Sequence, residues 1–263
     1  MIDTLTAAVH AAMRAALEAA ILPRWQALAA HEAADDAVTV ADHESEAILF
    51  ERLAALLPDA ALVGEEAAHA DPALLDRLAG DLCWIVDPLD GTNNFAEGKP
   101  PFGVLVALSD GGETQAGWIL DGLSGRFCHA IRGQGAFIDG ERITAGGSRP
   151  ETPASPNFPY FMDPASRAAV QRHIAPHYAL VDIPRCAAEQ YPRLALGQND
   201  VSIFERTLPW DHAAGVLFLN EAGGRAARMD GAPYRMDDWD RPGLIGAACP
   251  ALWDALAARM AKL

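Results

Sequence analysis

Asp87-Pro88-Leu89-Asp90-Gly91-Thr92-Asn93 is the stretch on which the reading of this chain turns. It follows Leu82-Cys83-Trp84-Ile85-Val86, an apolar run of strand-favouring residues, so Asp87 is expected at the carboxyl end of a strand. Pro88 and Gly91 then force the chain to turn. Thr92 and Asn93 are good helix caps, and a helix opening there would aim unpaired backbone N–H groups at an anion. The carboxylates of Asp87 and Asp90 and the carbonyl of Leu89 are oxygen donors, the type that Mg²⁺ and Ca²⁺ prefer. One tight turn therefore has the parts to hold a hard divalent cation beside a phosphate. Taken alone, Asp87 and Asp90 have a plainer reading as turn formers.

The chain around this turn is 263 residues long and 51% hydrophobic, enough to bury a large core as one domain or as two closely packed lobes. No uninterrupted apolar run reaches the roughly 18 residues that suggest a membrane span. Met1-Ile2-Asp3-Thr4 carries an acid where a signal peptide would carry Lys or Arg. A soluble, cytoplasmic protein without a membrane partner is the expectation. Cys83, Cys128, Cys186 and Cys249 form no Cys-x-x-Cys pair and are expected to be buried thiols, not zinc ligands or a redox motif. The net charge of −16 argues against a nucleic-acid groove, which needs a basic surface. It also repels anionic substrates at long range, so a phosphate site here requires cations that invert the local potential. Most of these charges have the simpler role of keeping the surface soluble.

Residues 3–30 read as a long amphipathic helix, with Leu5, Val9, Met13, Leu17 and Ile21 at four-residue steps. A second helix is expected from about His43 to Leu57, ended by Pro58. Strands are expected at 62–63, 84–86, 102–108, 114–120, 126–130 and 136–138, with Gly111-Gly112 as a hairpin turn. The first half is thus α+β, with a meandering, largely antiparallel sheet. The Pro-rich stretch 149–156 reads as a linker, which divides the chain into lobes 1–148 and 152–263. In the second lobe, helices at 163–174, 187–196, 210–222 and 250–261 alternate with strands near 179–183, 200–204, 225–228 and 243–247, an α/β pattern.

Four segments in order resemble the inositol monophosphatase family: Asp36-Ala-Val-Thr-Val-Ala-Asp42, Val63-Gly64-Glu65-Glu66, the Asp87–Thr92 signature and Trp210-Asp211-His-Ala-Ala-Gly215. The resemblance covers nearly the whole chain. It implies a layered α-β-α-β-α sandwich with the site in the cleft between halves, a homodimer, and two or three Mg²⁺ ions. By the same resemblance Glu65, Asp87 and the Leu89 carbonyl hold one ion, while Asp87, Asp90 and Asp211 hold another. A cluster of four acids is otherwise opposed by like-charge repulsion. The implied activity is direct hydrolysis of a phosphomonoester, without a phosphoenzyme. Glu65 is the candidate proton acceptor from water, Thr92 its hydrogen-bonding partner and Asp42 the residue behind Thr92. Backbone N–H groups of Gly91 and Thr92 are expected to hold phosphate oxygens. Several of these positions have plainer roles too. Asp42 and Asp211 suit helix N-caps, Glu66 a solvated acid, and His212 a helix surface, since Mg²⁺ prefers oxygen.

The chain also departs from the family's pattern. Where the family has Gly-Ser/Thr-Ala-Ala at a substrate-lining helix, this chain has Arg185-Cys186-Ala187-Ala188, and the stretch on to Gly197 is shorter. Arg185 either makes a surface ion pair or meets a second anionic group on the substrate. Ala187 keeps its place in the pocket. Glu205 resembles the family's hydroxyl-binding glutamate, one residue closer to Trp210-Asp211, and His31 stands where a rim lysine is usual. The substrate that the resemblance implies is a small phosphorylated metabolite of polyol or sugar type: an inositol phosphate or histidinol phosphate, or alternatively a sugar bisphosphate or 3′-phosphonucleotide. A non-catalytic regulatory module on the same fold is the rival of another class.

Overall fold

The computed structural model describes residues 2–29, 36–146, 154–156 and 162–263. The lobe boundary expected near 148–152 and the rim residue His31 lie outside them. The first helix is continuous from α1 (Ile2–Ala16) through a π-helical turn (Leu17–Ile21) into α2 (Leu22–Ala29). By length and composition its Thr4–Leu28 portion is apolar enough to cross a membrane, although Arg14, Glu18 and Arg24 interrupt it as an apolar run. In the structure one face of it (Val9, Met13, Ala16, Ile21) is buried in the core instead, and Arg14 and Glu18 pair on its exposed side.

Next come α3 (Ala37–Leu56), β1 (Ala61–Gly64), α4 (Glu65–Ala70), a 3₁₀ segment (Pro72–Ala79), β2 (Cys83–Asp90) and α5 (Thr92–Ala96). The meander β3 (Gly103–Asp110), β4 (Glu113–Asp121), β5 (Phe127–Ile131), β6 (Gly135–Ile138) and β7 (Glu141–Ile143) completes a seven-stranded sheet in sequential order. Within this sheet β1 and β2 pair in parallel and each later neighbouring pair is antiparallel. Gly111 and Gly112, with φ of 57° and 75°, form the expected hairpin turn between β3 and β4.

The rest of the chain runs β8 (Ala154–Pro156), α6 (Pro164–His173), β9 (Ala179–Val181), α7 (Ala187–Ala195), β10 (Val201–Phe204), α8 (Pro209–Glu221), β11 (Arg225–Arg228), β12 (Leu244–Ala247) and α9 (Pro250–Met260). The α/β alternation is as expected, but β10, β12 and β11 pair antiparallel in that order.

Residue alternation along the strands builds the layers. Trp84, Val86, Val104, Val106, Trp118 and Leu120 face α1 and α3. Cys83, Ile85, Leu105, Ala107 and Ile119 face α7 and α8 on the other side. Because both faces are covered, β2 is buried along its whole length and reads as a continuous apolar run. Beyond α7 and α8 lies the three-stranded sheet, whose far face packs on α6 and α9 through Val170, Ile174, Ile245, Trp253 and Leu256. This is an α-β-α-β-α sandwich.

The structure begins α3 at Ala37, not near His43, so the β-branched run Val38-Thr39-Val40 is helical. Packing decides it: Ala41, Ser45, Leu49 and Leu53 are buried against the sheet, and this outweighs local propensity. Asp42 therefore lies inside the helix and is not an N-cap.

Candidate active site

The parallel pairing of β1 with β2 brings the first two acids together. Gly64 is in register with Val86, so Glu65 and Asp87 leave the sheet side by side. The β2–β3 register then shifts between Asp87 and Asp90, where an irregularity turns the chain. Inside the turn the Leu89 N–H donates to Asp87 Oδ1 at 3.1 Å, and Ser45 Oγ on α3 donates to the Pro88 carbonyl at 2.8 Å. Gly91 has φ of 86°, and a Cβ there would stand 2.8 Å from the Pro101 carbonyl, so glycine is required on two counts. Gly91 occupies the cap position and Thr92 is already the first helical residue, so the cap lies one residue earlier than Thr92, where the sequence reading placed it.

The second half of the chain closes the site. Asp90 Oδ2 accepts the Ala188 N–H at 2.6 Å and the Cys186 thiol at 3.0 Å, which ties the end of β2 to the start of α7. Asp211 lies in the first turn of α8, where Arg206 Nη2 stands 3.8 Å from its Oδ2. That helix begins at Pro209 and its cap position is Leu208, so Asp211 is not a cap. Glu65, Asp87, Leu89, Asp90 and Asp211 all line one cavity of about 480 Å³. Gly91, Thr92, Arg185, Ala187 and Glu205 line it as well. Asp42 sits off its wall, 4% exposed, with Oδ1 unpartnered; no hydrogen bond joins it to Thr92.

Crowding of like charges away from water sets the electrostatics. Burial, then the charges of Asp211, Glu66 and Asp90, push Glu65 up to about 8. Burial, then Asp90, push Asp211 up to about 7, although Arg206 and a hydrogen bond with Asp87 oppose the rise. Burial, then Glu66, Glu65 and Glu46, raise Asp42 to about 8. Burial lifts Asp87 well above the carboxylate range, with Glu65, Asp90 and Asp211 adding to it. Asp90 is raised by burial against the pull of its N–H and thiol donors.

His212 is not on a helix surface. Nearly all of α8 is buried, and the ring is held between the Tyr191 hydroxyl (2.7 Å from Nδ1) and the Arg206 carbonyl (3.0 Å from Nε2). The carbonyl can only accept, so Nε2 carries the proton; burial lowers the ring to about 3 and keeps it neutral. Arg185 is exposed and 3.7 Å from Glu97, with φ of 52°. Cys83, Cys128 and Cys186 are buried as expected, whereas Cys249 is only partly so.

Two polar residues that matter here had no sequence motif to mark them. Glu46 on α3 accepts the N–H groups of Glu66 and Ala67, each at 3.0 Å, and so caps α4 just where Glu65 begins it. Gln190 on α7 lines the cavity, is 4% exposed, and has Nε2 unpartnered. The recurrence of Asp42, Ser45, Glu46, Leu49 and Leu53 at helical spacing on one buried face was the available sign for Glu46.

Among the described residues, no three His, Cys, Asp or Glu side chains are drawn into a ready-made metal cage. The acids instead surround an open cavity. Their donor set still suits a hard cation: it is all oxygen, includes a backbone carbonyl, and gathers buried carboxylates with raised proton affinities.

An acid-lined cleft between two β layers is set on this sandwich, and the class of protein is a phosphoric monoester hydrolase of a generally metal-dependent family. The chain belongs to the inositol monophosphatase family, which it matches over residues 1–262. It is 33% identical over 235 residues to an inositol-1-monophosphatase of Mycobacterium leprae, covering 86% of this chain and 79% of that protein. It is 31% identical over 216 residues to a histidinol-phosphatase of Chlorobaculum parvum, covering 81% and 79%. The fold of an inositol monophosphatase from Zymomonas mobilis superposes with a TM-score of 0.83 at 21% identity, covering 99% and 98% of the two chains.

Proposed function

We propose that this chain is a Mg²⁺-dependent phosphatase that hydrolyses a small polyol or sugar-type phosphomonoester directly with water. Glu65, Asp87, the Leu89 carbonyl, Asp90 and Asp211 would hold two or three ions. When bound, the ions supply Lewis-acid stabilisation of the phosphoryl oxygens and of the departing alcohol.

The protein's own groups position the reactants. Backbone N–H groups of Gly91 and Thr92 take phosphate oxygens, and the Thr92 hydroxyl orients the attacking water. Glu65 accepts that water's proton, and Asp42, buried off the cavity wall, lies behind Thr92. Positioning and charge stabilisation carry most phosphoryl transfer, so no covalent help is required. The one thiol on the cavity wall is a poor nucleophile: burial and the adjacent Asp90 hold Cys186 well above its ordinary value, and its Sγ is engaged with Asp90. In the substrate pocket Ala187 and Glu205 contact the alcohol portion. Inositol phosphate and histidinol phosphate are the first candidates, then fructose bisphosphate and a 3′-phosphonucleotide.

The observation that carries this reading is the meeting of Glu65, Asp87, Asp90 and Asp211 on one cavity wall, with their proton affinities raised by burial and, for Glu65, Asp87 and Asp211, by neighbouring carboxylates as well. Phosphate release across that panel, with and without Mg²⁺, tests it. Turnover should require Mg²⁺ and fall by roughly 10²–10³-fold or more in Asp87→Asn, the loss typical of removing a principal electrostatic stabiliser. Turnover that survives the substitution would remove the mechanism. Mg²⁺ binding with no turnover of any phosphomonoester would favour a regulatory module on this fold.

A further inference from the structure

Arg185 adopts a backbone conformation that L residues avoid, with φ of 52°. Both of its neighbours are pinned: the Pro184 carbonyl accepts Asn94 Nδ2 at 2.8 Å, and the Cys186 thiol meets Asp90 at 3.0 Å. The loop therefore imposes the left-handed conformation on whatever residue stands at 185, and glycine would fill it without strain. An arginine at a strained position on the wall of a cleft points to a use for its side chain there. Its contact with Glu97 does not account for it. That pair is 3.7 Å apart with side chains 58% and 48% exposed, a geometry that contributes little.

Five positions further along, on the same cavity wall, stands Gln190. Its Oε1 takes a long 3.4 Å hydrogen bond from Asn199, while its Nε2 is buried without a partner. A buried N–H left unsatisfied is costly until something accepts from it. A guanidinium and an amide N–H₂ are both donors, so what they jointly suit is an acceptor, and the positive charge makes it an anionic one. Ile183, Ile203 and Phe204 line the same cavity and offer apolar surface to a carbon skeleton.

We propose that Arg185 and Gln190 form a recognition site for a second anionic oxygen group, a carboxylate or a phosphate, on the alcohol portion of the substrate. Among phosphomonoesters the enzyme then selects those with a second anionic group, which moves the sugar bisphosphate and the 3′-phosphonucleotide ahead of inositol and histidinol phosphates. This rests on the phosphatase reading and names the substrate class for the same cavity.

Two matched substrate pairs test it with the full chain and Mg²⁺: 2-phosphoglycerate against glycerol 2-phosphate, and glucose 1,6-bisphosphate against glucose 1-phosphate. The readout is the ratio of kcat/KM within each pair, not the absolute rate. The wild type should favour the doubly anionic member of at least one pair by about tenfold or more. Preference in the first pair identifies a carboxylate, and in the second a phosphate. Arg185→Gly should bring the ratio near one, Arg185→Lys should keep much of it, and Gln190→Leu should lower it through KM. Melting curves establish that the variants fold; the lysine variant keeps the test open if the glycine variant does not. A wild-type ratio at or below one in both pairs would overturn the inference, as would a ratio unchanged by Arg185→Gly in a folded protein. Turnover of the esters with one anionic group without preference, or no turnover of these four substrates by a protein that hydrolyses an ester of the earlier panel, removes this inference alone; no turnover of any ester in either set removes the phosphatase reading and this inference with it.

Discussion

Glu46 shows how much one buried side chain decides. Its two oxygens hold the first N–H groups of α4, and a Cβ on Gly64 would lie 2.0 Å from Oε1, so strand end, glycine and glutamate form one fitted unit. Glu46→Ala should cost about 1–3 kcal/mol, the penalty for orphaning buried donors. It should also weaken Mg²⁺ binding by freeing Glu65. Glu46→Gln, which keeps one accepting oxygen, should cost less. Urea denaturation and Mg²⁺ titration of both variants check this. Asp87, Asp90, Glu65 and Asp211 were legible in the sequence because each sits in a distinctive local frame of apolar strand, turn residues or small helical residues. Glu46 and Gln190 were not, because an acid or amide on a helix looks solvated until the neighbour that buries it is known. His212 was misread for the same reason: nothing near it in the sequence foretells the Tyr191 hydroxyl that holds it.

At the scale of elements, α8 carries the assembly of the site. It packs so closely that a Cβ on Gly117 of β4 would stand 2.7 Å from the Ala214 Cα, and one on Gly215 would stand 2.0 Å from the Tyr191 ring. The small residues after Trp210-Asp211 are thus what lets the helix approach both the large sheet and α7. Gly215→Ala should overpack this contact and cost about 1–3 kcal/mol. By pushing Tyr191 against His212 it should also lower kcat through Asp211. Thermal melts and steady-state kinetics on the same preparation measure both effects. The span of α8 was readable from periodicity, as were the meander and its glycine hairpin. Strand direction in the small sheet was not, because alternation of helices and strands fixes order but not pairing. The early start of α3 was also hidden, since burial of Ala41 and Ser45 overrides the β-branched residues beside them.

Across the whole molecule, a net charge of −16 surrounds a cavity whose acids already repel one another. Glu65 and Asp42 are raised to about 8 and Asp211 to about 7, so the folded metal-free protein keeps protons that the unfolded chain releases near pH 4. The folded state then binds more protons over that interval, and stability falls as pH rises from about 4 toward 8. Melting temperatures in chelator should decline over the upper part of this range, and saturating Mg²⁺ should reverse the decline by stabilising the charged form. A metal-free protein whose stability rises steadily to pH 8 would contradict this sign. The central claim is that cations make the acid cluster tolerable, and calorimetric titration of Mg²⁺ tests it most directly. The titration is run near pH 7 in two buffers of different ionisation enthalpy, on wild type and Asp87→Asn. The wild type should bind Mg²⁺ with measurable proton release, and the variant should bind at least about 10–100-fold more weakly. A wild type that binds no Mg²⁺, or binds it with no proton released and no loss on Asp87→Asn, would contradict the account.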